Sequence, residues 1–104
     1  MKKQEPIITH KILATEFKGR ASQKEFNFKQ LKREGMIAIY EKVSPDSTHY
    51  ETIVIQKHDG RTMPGNVEVP PSEFYPGENT WGLSGWTHQT LERAEEKFNE
   101  LINR

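Results

Sequence analysis

Met36-Ile37-Ala38-Ile39-Tyr40-Glu41-Lys42-Val43 and Tyr50-Glu51-Thr52-Ile53-Val54-Ile55-Gln56-Lys57, joined by Ser44-Pro45-Asp46-Ser47-Thr48, are the stretch on which the fold turns. The first segment is apolar on both faces over its first five residues, the pattern of a central strand with one face covered by a helix. In the second, Ile53 and Ile55 share one face while Tyr50 and Val54 share the other. Between them Pro45 fixes φ, and Asp46 and Ser47 can hydrogen-bond their own backbone, so the chain turns there. An antiparallel hairpin is the result.

Towards the C-terminus, His58 to Gly65 has turn composition, and Asn66-Val67-Glu68-Val69 alternates as a short third strand. Pro70-Pro71 halts that strand, which suits a sheet edge. Ser72 to Thr80 reads as an irregular loop. Trp81-Gly82-Leu83-Ser84-Gly85-Trp86 reads as a glycine-punctuated fourth strand, with Trp81 and Leu83 pointing one way and Trp86 the other. It feeds a helix from Thr90 to Asn103, in which Leu91, Ala94, Phe98, Leu101 and Ile102 form one apolar stripe and Glu92, Arg93, Glu96, Lys97 and Glu100 face solvent. Thr87 or Thr90 supplies its N-cap.

Towards the N-terminus, Asn27 can cap a short helix over residues 28–34, with Phe28 and Leu31 on its core face and Gly35 as the left-handed residue that ends it. Residues 18–24 read as loop. Ile7 to Leu13 has the β-branched character of a strand, or of an arm that orders only against the rest of the fold. The expected fold class is α+β: an antiparallel sheet of three to four strands, the C-terminal amphipathic helix packed on one face, and the short helix near residues 28–34. Residues 1–25 form a basic N-terminal arm whose order is left open, and residues 26–104 form a single domain.

Charge is divided unevenly. Residues 1–34 hold nine Lys/Arg against four Glu, and residues 35–104 hold six against eleven Asp/Glu, so +5 and −5 cancel to zero. A basic arm suits a phosphate backbone or an acidic partner; equally, it can dock on its own acidic body or stay solvated. With no cysteine, disulfides, thiolate catalysis and cysteine zinc sites are excluded, and a reducing compartment is the simplest setting. Met1-Lys2-Lys3 is followed by Gln4-Glu5-Pro6 rather than an apolar run, unlike a secretory signal. No segment approaches the roughly 18 apolar residues of a membrane span.

Catalytic signatures are missing. His10, His49, His58 and His88 are dispersed, without the close spacing of a local metal site. There is no Gly-x-Ser-x-Gly elbow and no glycine-rich phosphate loop before a helix. We therefore expect no enzyme, no metal and no cofactor. The aromatics Phe74, Tyr75, Trp81 and Trp86 are the strongest candidate site. Loop tryptophans and tyrosines anchor interfaces or stack on bases; alternatively these rings seal the end of the sheet. Trp81 is expected nearer the core, with Tyr75 and Trp86 as a surface pair.

Gly35 to Glu41, Tyr50 to Ile55, Tyr75-Pro76, Trp81-Gly82, Gly85-Trp86-Thr87 and the Ala94 to Phe98 helix together resemble small uncharacterised proteins encoded by bacteriophages and prophages. That resemblance implies a mobile-element origin and a bacterial cytoplasm, and no particular activity. Trp81-Gly82-Leu83-Ser84-Gly85 with Leu91-Glu92-Arg93-Ala94 and Phe98 is also similar to the WGR domain, a DNA-end-binding module, with Leu83 where that motif has arginine. The expected function is a non-enzymatic binding module that meets a protein partner through residues 72–86, as a monomer or a homodimer. The alternative is a nucleic-acid-binding module, with Lys2, Lys3, Lys11, Lys18, Arg20, Lys24, Lys32 and Arg33 on phosphates and Trp86 stacking on a base.

Overall fold

The structure, a computed structural model, describes residues 9–104. In chain order its elements are β1 (Glu16–Lys18), β2 (Asn27–Glu34), β3 (Ile37–Val43), β4 (Thr48–Val54), β5 (Gln56–His58), β6 (Arg61–Met63), β7 (Val67–Val69), β8 (Ser72–Phe74), β9 (Gly85–His88) and α1 (Leu91–Ile102). The fold is α+β. Five strands make an antiparallel sheet in the order β1-β2-β3-β4-β9, while β5 pairs with β8 and β6 with β7 in two small separate ribbons. The main sheet is larger than the expected three or four strands.

The central hairpin forms as its pattern implies, with Ile37 opposite Val54 and Val43 opposite Thr48. Ser44 shapes its loop, because its hydroxyl accepts from the backbone N–H groups of Asp46 (3.2 Å) and Ser47 (3.1 Å). The second expected strand divides in two. Ile55 stays in the core at 3 % exposure, and beyond it β5 leaves the main sheet to pair with β8.

Residues 28–34 are a strand and not the expected helix. Phe28 sits opposite Lys42, the register slips between Gln30 and Lys32, and Arg33 then faces Ala38. That bulge adds a residue, so Phe28 and Leu31 recur at a spacing that mimics a helical stripe. Leu31 is 40 % exposed, whereas Phe28 is 6 % exposed. Gly35 does need a positive φ (+59°), but as the first residue of a two-residue hairpin loop between Glu34 and Ile37, where such a glycine is favoured.

The remaining strand expectations are also redrawn. Asn66 to Val69 yields β7, which pairs with residues 61–63 of the expected turn region rather than with the main sheet. Trp81 makes only a single bridge, to Gly85, and the fourth expected strand contracts to β9, beside β4 at the sheet edge. Ile7 and Ile8 lie outside the described residues; of the rest of that expected strand, Lys11 alone forms a bridge, to Ser72.

Strand parity gives the sheet two different faces. Ile39, 0 % exposed, meets Ala94 and Phe98 of α1, with Ile37, Tyr50 and Ile102 around them. The buried Thr52 hydroxyl donates to the Ala94 carbonyl at 2.9 Å, which satisfies a polar group that burial would otherwise penalise. Thr90 caps α1 by accepting from the Arg93 N–H (3.2 Å). Thr87, the other candidate cap, serves the opposite face.

That opposite face carries an aromatic layer. Phe17 stacks on Phe28 with centroids 4.8 Å apart, and Tyr75 stands edge-on to Phe28 (5.5 Å) and Tyr40 (5.2 Å). Residues 9–25 help to cover it. The Tyr40 hydroxyl donates to the Ala14 carbonyl (2.8 Å), the Gln30 N–H donates to the Thr15 carbonyl (2.7 Å), and Leu13 and Phe17 pack on the core.

One ion pair holds this arm down. Arg33 donates to both carboxylate oxygens of Glu73, at 2.8 and 2.7 Å, and the Leu13 N–H donates to the same group at 2.9 Å. The Arg33 hydrogen bonds are the main reason the Glu73 carboxyl titrates at about 2 rather than near 4.5. The unfolded chain therefore binds a proton below pH 4.5 that the folded chain refuses, and stability falls as pH drops from 4.5 towards 2. With solvent screening at the rim, the expected loss over that window is about 2 kcal/mol. Urea titrations at pH 6, 4 and 2.5 should show this loss in the wild type and a flatter profile in Glu73→Gln.

Candidate binding cleft on the aromatic face

The four aromatics singled out in residues 72–86 do not share one surface. Phe74 and Tyr75 are consecutive, so they diverge: Phe74 is 40 % exposed beside His58, and Tyr75 is built into the aromatic layer. Tyr75 is thus no surface partner of Trp86. Trp86 lies on the helix face of β9, with Lys97 Nζ 4.4 Å from its ring centroid. On that face the His88 imidazole has Nε2 buried without a hydrogen-bonding partner among the described residues, and burial, followed by the charges of Lys97 and Arg93, depresses its pKa. Trp81 packs on the other face, over Tyr75 at 6.5 Å, partly buried against the core cluster.

Around Trp81 lies a cleft of about 300 Å³, lined by Gln23, Phe28, Lys42, Glu51, Pro76, Glu78, Trp81 and Thr87. Its floor is a polar chain running through an aromatic setting. The Trp81 indole N–H donates to the Thr87 hydroxyl (3.0 Å), which donates to Glu51 Oε2 (3.0 Å), while the Tyr75 hydroxyl donates to Glu51 Oε1 (2.7 Å). Glu51 is only 4 % exposed. Burial, together with the Glu51 carboxylate, pushes the Tyr75 phenol far above its ordinary pKa, so it stays a donor.

The counter-charge comes from Lys42, whose ammonium lies 3.6 Å from Glu51 Oε2. It also sits 4.4 Å from the Phe26 ring centroid and 5.8 Å from that of Phe28, within cation–π range. Gln23, from the arm, also borders the cleft, and its buried Oε1 has no hydrogen-bonding partner among the described residues. Gly85 is the hinge of the arrangement: a Cβ there would run into the six-membered ring of Trp81, so only glycine lets the indole lie flat against β9.

Of this cleft, sequence reasoning found Trp81 and missed Gln23, Phe28, Lys42, Glu51 and Thr87 as site residues. Strand parity held part of the signal, because Glu51 alternates onto the same face as Ile53 and Ile55.

The cations expected to contact phosphates are scattered. Arg33 is held by Glu73, Lys32 lies on the helix face 4.6 Å from the Phe98 ring centroid, and Lys18 and Lys24 border a depression shared with Glu25 and Asp46. Arg20 and Lys11 are exposed. Lys2 and Lys3 fall outside the described residues.

A serine–histidine pair is present, but its geometry is unsuited to nucleophilic catalysis. Ser72 Oγ lies 2.9 Å from His58 Nε2, and His58 Nδ1 accepts from the Gly60 N–H at 3.2 Å. With Nδ1 accepting, the neutral ring carries its proton on Nε2 and donates to Ser72, so it cannot take the serine proton. Asp59, which could orient the ring, instead bonds His10 at 2.7 Å. Among the described residues no group of three or more His, Asp or Glu is placed to hold a metal ion, and no helix is long and apolar enough to cross a membrane. Comparison with protein-family models, curated proteins and solved structures gives no match.

Proposed function

We propose that this chain is a non-enzymatic binding module that engages a protein partner at the Trp81 cleft. One observation carries the proposal. Pro76, Glu78 and Trp81 line an open cleft together with the Lys42–Glu51 pair, and a concave, mostly apolar site with a few convergent polar groups is the usual form of a binding pocket. The edge and rim chemistry suits a side chain inserted from a partner, with Trp81 as the anchor. A phage or mobile-element origin and a bacterial cytoplasm accompany this proposal, on the resemblance of residues 35–98. The nucleic-acid alternative has less behind it, since Arg33 and Lys32 are occupied on opposite faces of the sheet.

Selection of a random peptide library on the immobilised chain tests the proposal. We expect binders that weaken at least about ten-fold against Trp81→Ala, the loss typical of an interface anchor. Gly85→Ala should weaken them too, by displacing the indole, whereas Trp86→Ala should leave them unchanged. Binding should vary little between low and high salt. Recovery of no Trp81-dependent peptide, with DNA binding that fades steeply as salt rises, would replace the protein partner with nucleic acid.

A further inference from the structure

We propose, resting on the binding module described above, that the partner presents an extended segment that adds to the sheet at Thr87 of β9, with one apolar side chain directed into the Trp81 cleft. β9 is an edge of the main sheet. The Ser84 carbonyl accepts from the Val54 N–H at 2.8 Å, which fixes the phase of the β4–β9 ladder. In an antiparallel pair such bonds recur at every second residue. Trp86 and His88 therefore turn their backbone groups to β4, and Gly85 and Thr87 turn theirs outward. Gly85 agrees with that phase, because its carbonyl accepts from the Gly82 N–H of the preceding turn (2.7 Å). Thr87 is exposed, and its backbone N–H and C=O have no hydrogen-bonding partner among the described residues.

The two edges of the sheet are guarded differently. β1 reads Glu16-Phe17-Lys18, and β2 beyond it carries Lys32, Arg33 and Glu34, charges of the kind that keep other strands away. β9, Gly85-Trp86-Thr87-His88, has no Lys, Arg, Asp, Glu or Pro. An extended chain beside it would exchange two hydrogen bonds with Thr87, as in recognition by strand addition. The residue that exchanges them points its side chain to the same face as Thr87. That face is the cleft, where Phe28, Pro76 and Trp81 offer an apolar side chain its contacts. Its neighbours fall on the helix face, where Lys97 already lies over the Trp86 ring. A second copy of this chain fits less well. Symmetric pairing of β9 with itself centres on Thr87, whose hydroxyl is held between its own Trp81 and Glu51, so both clefts would stay empty.

The peptide acetyl-Thr-Thr-Phe-Thr-Thr-amide, titrated into the full chain while amide hydrogen exchange is followed by NMR, provides the test. In the free chain the Thr87 N–H should exchange rapidly between slow neighbours at Trp86 and His88. Saturating peptide should slow Thr87 at least about ten-fold. N-methylation of the Phe amide should weaken binding about ten-fold, through loss of its hydrogen bond and the bulk added at the pairing edge. N-methylation of either adjacent Thr, whose N–H faces away from β9, should leave binding unchanged. Binding with Thr87 still exchanging rapidly, equal sensitivity at the three N-methyl positions, or no change at millimolar peptide overturns the assignment. Thr87 protection that rises with protein concentration in the absence of peptide overturns it too, by giving the edge to a second copy.

The selected peptides separate this assignment from the function it rests on. Trp81-dependent peptides that leave Thr87 exchange unchanged would refute strand addition and leave the protein-binding module standing. Protection of Thr87 by a peptide whose binding is unmoved by Trp81→Ala would support strand addition and remove Trp81 as the anchor.

Discussion

Phe98→Ala is expected to lower the free energy of unfolding by about 3–5 kcal/mol, the usual cost of emptying a buried phenylalanine site. Phe98 is 1 % exposed and packs with Ala94 against Ile39 at the centre of the sheet, and Lys32 lies over its ring. Few neighbours can collapse into the space, because β3 is held on both sides by β2 and β4. A domain of this size is stable by only about 5–15 kcal/mol, so the variant should unfold at a much lower urea concentration with an unchanged m-value. Phe98→Leu, which keeps most of the volume, should lose far less. A loss below about 1 kcal/mol in Phe98→Ala would mean that α1 does not close the core in the way described.

The second large effect is expected at Glu51. Glu51→Ala leaves the Tyr75 hydroxyl buried without its acceptor and removes the counter-charge from Lys42. Breaking a buried pair from one side costs about 3–5 kcal/mol. Glu51→Gln keeps the shape and an acceptor, and should cost about 1–2 kcal/mol. The informative variant is the double replacement Glu51→Leu with Tyr75→Phe, which removes donor and acceptor together. It should be more stable than the sum of the single changes implies, since it no longer leaves the Tyr75 hydroxyl without a partner. Additive costs in that cycle would show that Tyr75 and Glu51 are not coupled. Guest binding should fall in all of these variants, so stability and binding are measured together.

Within residues 9–104, elements whose signal is local were legible in the sequence. The α1 stripe, its N-cap and the β3–β4 hairpin each follow from periodicity or turn chemistry inside a short window; the hairpin is present, the cap is Thr90 of the two threonines considered, and the stripe holds except at Leu91, which is 38 % exposed. The cleft was legible only in the 72–86 segment, which supplies Pro76, Glu78 and Trp81. Its other lining residues come from β2, β3, β4, β9 and the arm, brought together by strand register across long separations.

What the sequence by itself determined is the α+β class, the central hairpin and the closing helix, because burial of one face imposes a repeat that survives in the linear order. Tertiary structure decided the rest. It turned residues 28–34 into a strand, since the bulge at Leu31 hides the period of two and pairing with β3 outweighs weak helix propensity. It sent Phe74 and Tyr75 to different surroundings, because parity along β8 is set by pairing with β5. And it brought Lys42, Glu51, Gln23 and Thr87 to one cleft beside Trp81, an encounter that no local repeat encodes.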